Sequence, residues 1–124
     1  MRIVVIICRI LLGALFVFAG LNGFFMWAKP AQMPTGLAGE FNEALFKSHY
    51  LWVVAGCQVL GGALVLIGRY VTLGLVILGP VLVNILTYHV TMDMKEIAPG
   101  VVCTILWAII AWNYRKNLEG IFAP

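Results

Sequence analysis

The 124-residue sequence predicts an all-α fold: a four-helix transmembrane bundle with both termini on the cytoplasmic side. Three observations predict it. Four apolar stretches cover residues 3–26, 50–67, 71–92 and 97–112, and roughly 20 apolar residues at about 1.5 Å each cross a hydrocarbon core about 30 Å thick. The chain is 63% hydrophobic and 10% charged with a mean hydropathy of +1.03, whereas soluble domains carry about 25% charged residues. Finally, an even number of passes brings both ends to one side, where Arg2, Arg69, Arg115 and Lys116 outnumber Lys29, Lys47 and Lys95 on the other. One domain of residues 1–124 accounts for the whole chain, in the inner (plasma) membrane. A net charge of +3 spread this thinly excludes a nucleic-acid partner.

The first stretch opens like a secretory leader, but Arg9 interrupts its apolar run. No small-x-small cleavage site follows before Pro30 and Pro34, so the stretch is expected to stay as a helix. Its residues Arg9, Gly13, Phe16, Gly20 and Gly23 recur at alternating steps of four and three, which hold one helix face. Glycines there predict close approach of a second helix, while Leu12 and Val17, off the stripe, are expected to tolerate change. Between the first and second stretches, Pro30, Pro34 and Gly36 break the chain. Leu37, Phe41, Ala44 and Leu45 then share the face of a short amphipathic helix on the outer surface, either an anchor or a lid. The second and third stretches meet at Gly68-Arg69, a turn tight enough to make them antiparallel neighbours. The fourth starts with Pro99 in its first turn, where a missing N–H does no harm. Trp27, Tyr50, Trp52 and Tyr88 fall at the outer interface and Tyr70, Trp112 and Tyr114 at the inner one, leaving Trp107 mid-helix against lipid or a partner.

Polar side chains inside the spans are the candidate functional residues, because each is costly in hydrocarbon. Arg9 lies in the first helix, Gln58 midway along the second, and Asn84 and His89 in the third, where Pro80 also predicts a kink. No acidic residue lies within a span. Arg9 must therefore reach neutral acceptors (Gln58 or helix carbonyls), the cytoplasmic surface, or an anion from a lipid or ligand. Gln58 and Asn84 lie at similar depth on adjacent helices, and a hydrogen bond between their amides is expected. His89 stands four residues before Asp93, at the level of His49. That pairing suits proton transfer, but the spacings of metal-binding motifs are missing and no metal is assigned. Cys8, Cys57 and Cys103 are isolated and read as small apolar residues.

The segments RILLGALFVFAG (Arg9–Gly20), QVLGGALVLIG (Gln58–Gly68) and GPVLVNILTYH (Gly79–His89) resemble, in order, the first three helices of the DoxX-like membrane proteins, a likeness running along nearly the whole chain. Some members of that family are small membrane subunits of oxidoreductases that pass electrons to quinone, including thiosulfate:quinone oxidoreductase. The resemblance implies an accessory, non-catalytic subunit of such an enzyme. On that likeness no intrinsic cofactor is expected, and Arg9, Gln58, Asn84 and His89 are the expected polar pocket for a quinone. Position 58 is often acidic in the family, so Gln58 weakens any proton-transfer role there. Membrane lipid, an extrinsic or membrane redox protein, and a second copy of the chain are the implied partners. Two other readings stay open beside it: a purely structural anchor or assembly partner, and a binding or carrier protein for a lipid or hydrophobic solute.

Overall fold

The computed structural model describes residues 2–25 and 35–122. Trp27, Lys29, Pro30 and Pro34, used in the sequence reading, lie outside the described residues. Six α-helices are described: α1 (Arg2–Phe25), α2 (Gly36–Lys47), α3 (Tyr50–Ile67), α4 (Val71–Met92), α5 (Ala98–Asn113) and the single turn α6 (Arg115–Leu118). No described residue is in a strand. The helices α1, α3 and α4 are long and apolar enough to cross a membrane. At 16 residues, α5 is an apolar helix about 24 Å long.

The glycine stripe does what its spacing predicts. A Cβ on Gly13 would lie 2.6 Å from Leu66 Cβ and 2.8 Å from Gly62 O, and one on Gly20 would lie 2.6 Å from Ala55 O. The backbones of α1 and α3 therefore touch, antiparallel, through positions that only hydrogen can occupy. The second contact, α3 on α4, repeats the device: Gly61 faces Leu78, and Gly74 faces Gly61 O and Val65. The last apolar helix, α5, lies against α1 and α4. Leu12, Val65, Leu75, Leu78 and Ile110 fill the space between these helices and are fully buried. Leu12 thus corrects the expectation of tolerance. One position off the stripe is the core itself, because the face that turns toward α3 on one side turns toward α4 and α5 on the other. Cys8 is buried, and Cys57 and Cys103 pack against the same core as free thiols.

Outside, the surface stays apolar. Ile3, Ile7, Ile10, Leu15 and Phe18 on α1, Val53 and Leu60 on α3, Val83 and Val90 on α4, and Val102 and Ile105 on α5 are all exposed. Contiguous apolar surface on this scale is what a hydrocarbon solvent accepts and water does not.

The α3–α4 connection is compact because two residues adopt left-handed backbone: Gly68 (φ 84°), whose N–H closes α3 on Leu64 O, and Tyr70 (φ 57°). The short helix predicted in the outer loop is α2. It rests on α3 and α4 through buried Ala38, through Phe41 stacked 5.4 Å from Tyr88, and through a hydrogen bond from Asn42 Nδ2 to Tyr88 Oη (2.7 Å).

Candidate functional site

The four predicted polar residues are placed by three helices, and they do not converge. Arg9, half-buried, sends Nε to Val65 O at 3.1 Å. That carbonyl belongs to the last turn of α3, whose oxygens have no intrahelical amide to accept and carry the negative end of the helix dipole. Of the ways Arg9 has to satisfy itself, the structure takes a helix carbonyl. Gly68 makes room for it, since a Cβ there would run into Arg9 Nη2.

Gln58 and Asn84 each lie eight residues from the outer end of their helices, about 12 Å along the axis, so their depths agree. Their azimuths do not. Gln58 stands between the row that meets α1 (Ala55, Val59, Gly62) and the row that meets α4 (Gly61, Val65). It is half-buried with no hydrogen-bond partner among the described residues. Asn84 is exposed and donates from Nδ2 to Pro80 O at 2.9 Å. The amide pair expected from the sequence is therefore replaced by a bond within α4.

His89 turns back on its own helix end, with Nδ1 3.1 Å from the main-chain oxygen of Asp93 rather than from its carboxylate. A carbonyl only accepts, so Nδ1 carries a proton in this contact. The ring edges against Tyr88 at 5.0 Å. His49, at the same level, starts α3 with left-handed backbone and stacks on Trp52 at 4.5 Å.

Asn84 is the one predicted residue that lines a groove. Beside α2, Phe41, Ala44, Leu45, Ser48, Tyr50 and Asn84 line an open, shallow depression of about 370 Å³, and all of them but Leu45 are exposed. Its walls are apolar, with hydrogen-bonding groups at two points. Ser48 Oγ accepts from Tyr50 N (3.2 Å) and keeps its own hydrogen to donate, while Asn84 keeps its amide oxygen to accept. A flat ring bearing carbonyl or hydroxyl oxygens is matched by such a set. Outside the spans, Glu43 and Lys47 pair at 2.6 Å on the exposed side of α2. The ammonium holds the carboxyl below its ordinary range, and the carboxylate holds the lysine above its own.

Two tertiary contacts escaped the sequence reading. Asn42 sits among Ala38, Phe41 and Leu45 on the apolar face of α2, and a polar residue on an apolar face was the available signal. Trp107 donates Nε1–H to Leu75 O (3.0 Å), correcting its placement against lipid. Pro80 does not account for it, because the carbonyl its missing N–H frees is that of Val76, and no residue in the sequence signals Leu75 O as an acceptor.

Apolar helices with greasy outer faces, glycine contacts inside, and polar side chains bound to helix carbonyls define an integral membrane protein. The chain belongs to the DoxX family, whose model matches residues 4–90. The match takes in α1 from its third residue, α2, α3 and all but the last two residues of α4, and it ends before α5, where a likeness along nearly the whole chain was expected. No curated protein and no solved structure matches the chain.

Proposed function

We propose that this DoxX protein crosses the inner membrane four times with both termini in the cytoplasm, and that it serves as an accessory subunit of a membrane oxidoreductase, holding a quinone ring in the groove beneath α2. The topology is supported by α5, which closes a ring with α1, α4 and α3, and by the charges. Arg2, Arg9, Arg69, Arg115 and Lys116 lie toward the end shared by the termini, and Lys47 and Lys95 at the other. The redox role comes from the family resemblance. The observation that carries the ligand is the groove itself, with Asn84 and Ser48 as its polar points and α2 as its roof. His89 does not line the groove; its ring lies beside Gly100 of α5.

A second reading, a structural anchor, is favoured by a specific observation: Arg9, Trp107 and Asn42 each bind a group on another helix. Extraction of the tagged protein in a mild detergent, followed by mass spectrometry of bound small molecules and proteins, separates the two. A quinone retained by wild type and lost in Asn84→Leu supports the groove. A stoichiometric redox protein without any quinone leaves the anchor. For the topology, a periplasmic reporter fused after residue 124 should be silent, and its activity would overturn the orientation.

A further inference from the structure

The guanidinium of Arg9 is held by features of the chain that do not themselves carry charge. Val65 O takes the Nε–H, and the missing side chain of Gly68 leaves the seat into which Nη2 fits. Five N–H groups belong to this side chain, and those beyond Nε have no partner among the described residues. Arg69 follows in the same turn and is exposed. Arg2, Arg115 and Lys116 lie toward the same end, and Glu119 is the one acidic residue there among the described residues. The positive charge at this end is therefore not balanced by the chain. At 18 residues α3 is about 27 Å long, close to the hydrocarbon thickness, so its last turn lies at the edge where headgroups begin.

From this we infer a binding site for the phosphate of an anionic phospholipid, formed by Arg9 in its seat on Val65 and Gly68 together with Arg69. A guanidinium fixed in orientation presents paired donors to phosphate oxygens, and basic pockets between helices at the cytoplasmic side of a membrane are suited to acidic headgroups. The bond to Val65 O orients the group, and the lipid neutralises it. The site closes the inner end of the α1–α3 contact, so its occupancy stabilises that contact. The inference rests on reading α1, α3 and α4 as membrane spans. It does not depend on which side the termini face, because the titration below uses protein in detergent.

The test is a melting-temperature titration of the purified full-length chain in a neutral maltoside detergent. Phosphatidylglycerol or phosphatidylcholine is added in rising mole fraction. Phosphatidylglycerol should raise the melting temperature of wild type saturably, and phosphatidylcholine should not. In Arg69→Gln the phosphatidylglycerol needed for half the shift should rise roughly fivefold, the loss expected of one basic residue at an anionic surface. Arg9→Lys, which keeps the charge and loses the fork, should weaken the response as well, and Lys47→Gln at the opposite end should leave it unchanged. Should Arg9→Lys not fold, Arg69→Gln decides alone, since its side chain is outside the core. Equal shifts with the two lipids, an undiminished response in Arg69→Gln, or reproduction of the shift by inorganic phosphate would overturn the site.

Discussion

Adding one methyl group at Gly20 and another at Gly56 should move stability in opposite directions. Both glycines sit inside helices, so alanine gains about 0.8–1.0 kcal/mol of helix propensity at either. At Gly56 the new Cβ meets nothing within 4 Å, and the gain stands. At Gly20 it would lie 2.5 Å from Val59 Cγ2 and 2.6 Å from Ala55 O. The valine can rotate, but the carbonyl is part of α3. Ordinary contact begins near 3.4 Å, so α1 must withdraw by about 0.8 Å. A gap of that size forfeits a quarter to a half of each neighbouring van der Waals contact, including those of Gly13 with Leu66 and Gly62. Overpacking of this kind costs roughly 1–3 kcal/mol. Because the propensity term is shared, it cancels in the comparison. Gly20→Ala should be less stable than Gly56→Ala by roughly 1–3 kcal/mol. Unfolding of each variant by dodecyl sulfate in mixed micelles measures the difference. Equal shifts at the two positions would refute the α1–α3 contact and the argument built on it.

Three further outcomes follow from the hydrogen bonds. Trp107→Phe keeps one aromatic ring but loses the rest of the indole with the N–H to Leu75 O, so it should destabilise by at least the roughly 0.5–1.5 kcal/mol of that hydrogen bond in the same assay. Tyr88→Phe removes the acceptor of Asn42 and should speed amide hydrogen exchange across α2 while leaving α1 and α3 unchanged; uniform exchange would mean that the bond does not hold α2. Lys47→Met breaks an exposed i,i+4 pair that solvent screens, and the melting temperature should not move measurably.

Helix boundaries were legible because they depend on neighbours in sequence. The second and third apolar stretches, 50–67 and 71–92, coincide with α3 and α4, and the amphipathic pattern after Gly36 marks α2. The glycine stripe of α1 was legible for the same reason, since a period of three and four residues states which positions share a face. Position along the helix axes was legible too, as the matching levels of Gln58 and Asn84 show. Rotation was not. Whether an amide at a given depth points to the helix beside it or away depends on how each helix turns about its axis, and that is set by contacts among residues far apart in the chain. Gln58 lies between the two packed rows of α3, while Asn84 turns out to the groove under α2. Arg9 shows the same division. Composition alone placed a costly cation in the first helix and denied it a carboxylate within the spans. Only the packing of α1 along α3 brought it to Val65 O, because that oxygen is left over by a helix that ends at Gly68, 59 residues farther along the chain.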